Sequence, residues 1–361
     1  MKNLQNPKID NRLREHIKRN EDDSISRIVE FDMTPKDIKE YMDRFVISQD
    51  EGKKVMATAI SFHFKRLSRA LRDEIGDKDA RQALSEVKTP KANIMLIGPS
   101  GCGKTYTSEV ASRLVGVPFV KEDMTDFSET GYVGQDIGSI LSDLYVAAEG
   151  NAILAQTGIV YLDEIDKIAG KSTMGRDVSG AGVQNGLLKL VEGVDKNIQV
   201  ERGKVNLSTR NVLFIASGAY EGLGSIVYER LRRHGVDADW KKFLSTEDLI
   251  EYGMERQLMG RFPVKVVYDP LDKYDLVKIM KESGDSPLQA YMSDFLNWGI
   301  ELSIEDEGLK EIARFAEDEG TGARGLTSIL NRVLLDGMYE LPGSTEGEFS
   351  VDKGYVLERL I

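Results

Sequence analysis

The sequence has 361 residues, 41% of them hydrophobic, enough for a sizeable core and, at this length, for two domains or one large domain with a satellite. A formal net charge of -12 argues against broad, sequence-independent affinity for nucleic acid, and no apolar run approaches the roughly 20 residues that a membrane-spanning helix needs. The single cysteine, Cys102, excludes an intrachain disulfide or a cysteine-based zinc finger, and His16, His63 and His234 are scattered, reading as surface or packing residues rather than metal ligands. The N-terminal stretch is rich in Lys, Arg and Asn and lacks the apolar core of a signal peptide, so a cytoplasmic location is expected.

Residues 1–33 are polar and charged with little periodicity and read as a flexible N-terminal extension. Thr34-Pro35-Lys36-Asp37 marks a helix start, Thr34 as N-cap and Pro35 in the first turn, with Ile38, Tyr41, Met42 and Phe45 following at helical spacing. Val46 and Ile47 precede a second helix from Asp50 to about Leu71, and the charged stretch from Arg72 to Lys88 reads as an exposed connection. From Ile94 strands and helices alternate, the pattern of a parallel sheet with helices on its faces. The expected strands are Ile94–Ile97, Pro118–Lys121, Ile159–Leu162, Val212–Ala216 and Lys265–Tyr268, with a helix from Tyr106 to Leu114 after the first. Near Asp269-Pro270-Leu271 the pattern turns to helices at Lys273–Lys281, Leu288–Trp298, Leu309–Ala316 and Gly325–Tyr339, and the acidic run between Glu301 and Glu319 reads as a solvated face. The expected fold class is α/β: a large domain over residues 34–268 with a five-stranded parallel sheet, then a smaller, mainly α-helical domain over residues 269–361.

Gly98-Pro99-Ser100-Gly101-Cys102-Gly103-Lys104-Thr105 fits G-x-x-x-x-G-K-[ST], between an expected buried strand and an expected helix beginning near Tyr106. Glycines let the backbone curl until several N–H groups converge on phosphates, and the helix that follows adds its positive end. Lys104 would reach the terminal phosphates of ATP as a point charge, and the Thr105 hydroxyl would sit on Mg²⁺. Ile159-Val160-Tyr161-Leu162-Asp163-Glu164 supplies the second half: a buried strand delivers Asp163 toward the metal shell, and Glu164 is placed to polarise an attacking water. Cys102 occupies a variable position of the loop, so tolerance there is the default, although oxidation beside the phosphates could block ATP.

Taken together, these residues resemble the AAA+ ATPases of the Clp type, the group that includes the unfoldases ClpX and HslU, from Thr34 to Ile361. Phe45-Val46-Ile47-Ser48-Gln49 is similar to the segment lining the adenine pocket, which makes Val46 and Ile47, with Gly98 to Tyr106, the implied nucleotide-binding set. Gly131-Tyr132-Val133-Gly134 is similar to the family's first pore loop, and Arg176-Asp177-Val178-Ser179-Gly180 with Gly182-Val183-Gln184 to its second. Phe214-Ile215-Ala216-Ser217-Gly218-Ala219 resembles the sensor 1 strand, Gly260-Arg261-Phe262-Pro263 the arginine-finger box, and Gly322-Ala323-Arg324-Gly325 sensor 2. The resemblance implies a homo-hexameric ring in which Arg261 acts on a neighbour's nucleotide and Arg324 on its own. Ser217 would then bond the water or γ-phosphate, while Tyr132 and Val133, helped by Arg176 and Asp177, grip unfolded or tagged protein substrates in the pore.

Three departures bound that expectation. No Cys-x-x-Cys pair is present, so the zinc-binding N-terminal domain of ClpX is not expected; the stretch from Glu221 to Glu247 contains no Ile-Gly-Phe, so docking to the ClpP peptidase is not supported; and the short interval between Gly134 and Ile159 leaves no room for HslU's intermediate domain. The final Leu357-Glu358-Arg359-Leu360-Ile361 is reminiscent of the HslU tail, but the similarity is short and a frayed helix end is the better reading, and whether any peptidase pairs with the chain stays open. The leading expectation is an ATP-driven unfoldase and translocase. The alternative is a nucleotide-dependent remodelling or scaffold protein acting on one partner without threading, and a nucleic-acid motor is disfavoured by the acidic charge balance and the aromatic pore motif.

Overall fold

The computed structural model describes residues 25–74, 80–87, 91–127, 136–170, 178–200 and 203–361. They form two compact units that are not consecutive in sequence. Among the described residues, the first takes residues 25–39, Glu51–Ile97 and Ser108–Val267; the second takes Glu40–Asp50, Gly98–Thr107 and Tyr268–Ile361.

The first unit is built on a five-stranded, all-parallel sheet of β1 (Ile94–Ile97), β2 (Phe119–Asp123), β3 (Ile159–Asp163), β6 (Leu213–Gly218) and β7 (Val264–Val267), in the order β2-β3-β6-β1-β7. Parallel strands covered on both faces must be apolar on both, and the inner strands show it: all four residues of β1, the first four of β3 and all six of β6 are buried. The edge strand β2 alternates instead, and β7 is half-buried apart from the buried Val266. The chain runs from β1 outward to β2 and then returns through β3 and β6 to β7, so its direction of winding reverses after β1.

Three local expectations change. Residues 25–33 belong to the packed body rather than to a flexible extension: Ile28 and Phe31 are buried, Phe31 lies 5.7 Å from the Phe64 ring, and the Ser61 and Ser68 hydroxyls donate to the carbonyls of Met33 and Val29. Burying two large apolar side chains outweighs the polar composition of their neighbours. The stretch expected as an exposed connection contains a helix, Ala80–Ser85, with Ala83 and Leu84 buried and the Asn211 amide donating to the Leu84 carbonyl at 2.8 Å. An unexpected antiparallel hairpin, β4 (Asp195–Val200) with β5 (Gly203–Ser208), also stands apart from the main sheet; its buried residues, Ile198 and Leu207, sit among polar alternates. His63 is a packing residue, buried with Nε2 3.0 Å from the Asn211 carbonyl. Burial, with Arg66 and Lys91 nearby, pushes its pKa down to about 3.

In the second unit, the helices Lys273–Glu282, Pro287–Asn297, Asp306–Asp318, Ala323–Glu340 and Lys353–Leu360 enclose a core that includes Leu276, Phe295, Ile312, Leu330 and Val356. The acidic run is solvated as expected on one side, but Leu309, Ile312, Ala313 and Ala316 turn inward from the same helix. A short parallel pair, β8 (Glu301–Ile304) with β9 (Glu348–Val351), was not legible in the sequence, and Leu360 is buried at the end of the last helix while Ile361 is exposed. Among the described residues no helix is long and apolar enough to cross a membrane.

Candidate nucleotide site

The chain leaves β1 at Ile97 and enters the glycine-rich loop of the second unit. Gly101 (φ 74°) and Gly103 (φ 93°) take left-handed backbone that an L side chain rarely adopts, and the turn they allow delivers Lys104 to the first position of the helix Lys104–Val115. The Thr107 N–H and hydroxyl both donate to the Gly103 carbonyl, at 2.9 and 2.7 Å, and so seat the loop on that helix. The Lys104 ammonium arches back over the loop to the carbonyls of Gly98 (2.6 Å) and Pro99 (2.8 Å), keeping its charge inside the turn. Cys102 is buried; burial pushes its thiol up and the nearby Lys104 only partly opposes this, which makes slow rather than preferential oxidation the expectation.

Within the same unit, several distant segments close on the loop. The Ala323 N–H donates to the Gly101 carbonyl at 3.1 Å, and Arg324 Nη1 donates to the Ser100 hydroxyl at 3.2 Å. Gln49 Nε2 donates to the carbonyls of Cys102 (3.2 Å) and Asp269 (2.7 Å), while its Oε1 accepts the Asp269 N–H at 3.1 Å. Ser48 and Gln49 hold left-handed φ values of 57° and 56° without being glycine, and the Ser48 hydroxyl is tied to Asp275 Oδ1 at 2.5 Å. Val46 is buried beside them, Ile47 is half-buried, and the Tyr106 hydroxyl donates to Asp285 Oδ2 at 3.0 Å. Thus Val46, Ile47, Gly98 to Tyr106 and Arg324, far apart in sequence, share one unit.

The acidic residues belong to the first unit. Parallel register pairs Asp123 with Asp163 and Lys121 with Tyr161, so alternate residues of β2, β3 and β6 share a face at the sheet's carboxyl end. On that face the Tyr161 hydroxyl donates to Ser217 Oγ at 2.7 Å, and Ser217 donates to Asp163 Oδ1, also at 2.7 Å. The Glu164 N–H adds a second contact to Oδ1 at 3.1 Å, and the Lys121 ammonium lies 3.1 Å from Oδ2. Burial pushes the Asp163 carboxyl up, but the Ser217 hydroxyl, Lys121 and the Glu164 N–H outweigh it and hold it below the usual carboxylate range. Asp163 is therefore an oriented anion. Glu164 follows in left-handed backbone (φ 53°) with its side chain exposed, a costly conformation for a residue with a side chain.

Arg261 sits just after the short helix Arg256–Met259, half-exposed, with Nε and Nη2 on Glu192 Oε1 at 3.1 and 2.5 Å. The buried Asn93 amide donates to the Arg261 carbonyl at 2.9 Å and accepts the Phe214 N–H at 3.1 Å, which pins this turn to the sheet.

Comparison with known proteins draws these parts together. The family described as AAA domain (Cdc48 subfamily) matches residues 89–265, and the C-terminal, D2-small domain of ClpB protein matches residues 271–353. The ATP-dependent Clp protease ATP-binding subunit ClpX of Borrelia duttonii is 37% identical over 334 residues, covering 87% of this chain and 76% of its own. That of Bacteroides thetaiotaomicron is 36% identical over 348 residues, covering 90% and 81%. The chain belongs to the Clp-type AAA+ ATPases. Nucleotide binding, ATP hydrolysis and a chaperone or unfoldase character follow from that membership, and the resemblance read from the motifs holds.

The residues of this AAA+ chain fit a nucleotide with a hard divalent cation. Positive-φ glycines give the loop the backbone curl that phosphates need, and in the other unit Asp163 is an oriented carboxylate, the kind of hard oxygen donor that Mg²⁺ accepts. Among the described residues no cluster of three or more His, Cys, Asp or Glu could hold a metal alone. Tyr132, Val133, Arg176 and Asp177 lie outside the described residues. Lys121, Tyr161, Asn93 and Glu192 were not legible as site residues. Only the register of β2 and β3 could have pointed to the first two, and nothing local marks the others.

One consequence is immediate. Gly101→Ala would place a methyl group against the Thr321 carbonyl, in backbone that costs a side chain about 1–2 kcal/mol. Nucleotide affinity is expected to fall about tenfold, read by titration of a fluorescent nucleotide with circular dichroism as the folding control.

Proposed function

We propose that this ATPase is a homo-hexameric, ring-forming protein unfoldase that threads unfolded or tagged polypeptide through a central pore in the cytoplasm. The observation that carries the catalytic half is the pair at the end of β3, an oriented anion followed by an exposed carboxylate in strained backbone. The threading half rests on Gly131-Tyr132-Val133-Gly134, an aromatic and a branched residue between glycines, in a chain 37% identical to ClpX.

Lys104 and the N-terminus of its helix bind the phosphates, and Val46 and Ile47 supply apolar surface for the base. Thr105 and Asp163 would hold the metal, and the chemistry Mg²⁺ would supply there is neutralisation of phosphate charge. Glu164 accepts a proton from the attacking water. Ser217 keeps Asp163 oriented and is the sensor 1 residue, Arg261 stabilises charge on a neighbour's phosphoryl group, and Arg324 reads the nucleotide of its own subunit. Tyr132 and Val133, with Arg176 and Asp177, grip the substrate.

Residues 221–247, where ClpX carries its peptidase-docking tripeptide, hold a helix (Leu223–Arg233) and a 3-10 turn (Trp240–Phe243). Arg230 forks onto the buried Asp248 at 2.7 and 2.9 Å just beyond. This folded element carries no Ile-Gly-Phe, so it gives no support for docking to ClpP.

The test is unfolding of a tagged fluorescent protein. Wild type is expected to extinguish its fluorescence with ATP, and Tyr132→Ala to lose at least about tenfold of that rate while ATP turnover persists. Unchanged unfolding by the variant removes the pore role. ATP turnover without any unfolding by wild type would favour remodelling of a dedicated partner.

A further inference from the structure

The Asp163 carboxylate has one oxygen already committed: Oδ1 accepts both the Ser217 hydroxyl and the Glu164 N–H. Oδ2 is the oxygen open to a cation, and the Lys121 ammonium lies 3.1 Å from it. The placement follows from the sheet. Lys121 and Asp163 stand two positions apart along adjacent parallel strands, on one face, a span that the four-carbon stem of lysine crosses without distortion. The pair is also asymmetric in exposure: the Lys121 side chain is 43% exposed and that of Asp163 13%. The carboxylate is fixed, whereas the ammonium can swing into water at little cost.

We propose that Lys121 is a positioning residue whose ammonium competes with the nucleotide-associated divalent cation for Asp163, and so sets the Mg²⁺ concentration at which nucleotide is bound. This rests on the reading of Asp163 as a metal ligand. Two cations repel at one carboxylate oxygen, so Mg²⁺ or its ordered water gains Oδ2 only as Lys121 leaves. Until then the ammonium keeps a partly buried carboxylate paired and correctly aimed. Lys121 is thus a resident counter-ion that raises the metal requirement of the site, and the Ser217 hydroxyl and the Glu164 N–H hold the other oxygen while the exchange takes place.

The experiment titrates MgCl₂ against the full chain at a fixed concentration of a fluorescent ADP analogue, with binding as the readout. Lys121→Met is expected to lower the half-saturating Mg²⁺ about three- to fivefold, the factor that a half-exposed ion pair is worth, whereas Lys121→Arg, which keeps the charge, stays near wild type. A shift below about 1.5-fold in Lys121→Met overturns the proposal. Asp163→Asn separates the two layers. If it raises the Mg²⁺ requirement while Lys121→Met does nothing, only the role of Lys121 falls. If Asp163→Asn also leaves the requirement unchanged, Asp163 is not a metal ligand and the proposal falls with that reading. Thermal melting checks each variant, and Lys121→Gln carries the same expectation should Lys121→Met fail to fold.

Discussion

Glu164→Gln is expected to cut steady-state ATP turnover by about 10²–10⁴-fold with nucleotide affinity almost unchanged. Glutamine keeps the size of the side chain and its hydrogen-bonding oxygen but cannot take the proton of an attacking water. The backbone argues that this position is held for chemistry: Glu164 sits at φ 53°, where glycine would be less strained, and its exposed side chain buries nothing that would repay the cost. The N–H of Glu164 is bonded to Asp163 Oδ1, and the substitution leaves that bond and the orientation of Asp163 in place. Phosphate release and fluorescent-nucleotide binding measured on one preparation check both halves. Retention of more than about a tenth of the wild-type rate would remove Glu164 as the base.

The second large effect is at Arg261. If its guanidinium acts on a neighbour's nucleotide, Arg261→Ala costs about 10³-fold in turnover, and Arg261→Lys recovers little because a point charge does not reproduce the planar fork. Stability should barely move, since the contact it loses is a half-exposed ion pair with Glu192, in the range of about 0–1 kcal/mol. That weakness suits an arginine that must leave one partner for another. Mixing provides the decisive measurement. Assemblies of Glu164→Gln and Arg261→Ala subunits contain sites that pair an intact Glu164 with a neighbour's intact Arg261, so two inactive preparations should recover activity when combined. Absence of recovery, with mixed assembly verified, would place the action of Arg261 within its own subunit or in structure alone.

Much of the site was legible because its chemistry is local. Gly98 to Thr105 carries its own geometry: glycines at the positions that turn left-handed, and a lysine and a threonine opening a helix. The inner strands were legible because burial on both faces leaves an unbroken apolar run, as in Ile159 to Leu162. The β4–β5 hairpin was missed because its strands bury little and their alternation is masked by lysine and asparagine. Residues 25–33 were misread for the opposite reason: Ile28 and Phe31 are too few to show a period, yet both are buried.

By itself the sequence determined the nucleotide loop, the strand that ends in Asp163 and Glu164, the order of the motifs and the α/β class, since each depends on residue types at short, fixed spacing. Tertiary structure alone decided who meets whom. The relay from Tyr161 through Ser217 to Asp163, the Lys121 ammonium on the second oxygen, and the Glu192 partner of Arg261 arise from strand register and chain crossings. So does the assignment of the phosphate loop and residues 40–50 to the unit of the C-terminal helices. The physical reason is that turn chemistry and periodicity act within a few residues, whereas the partner of a long charged side chain is chosen by whichever segments packing brings alongside it.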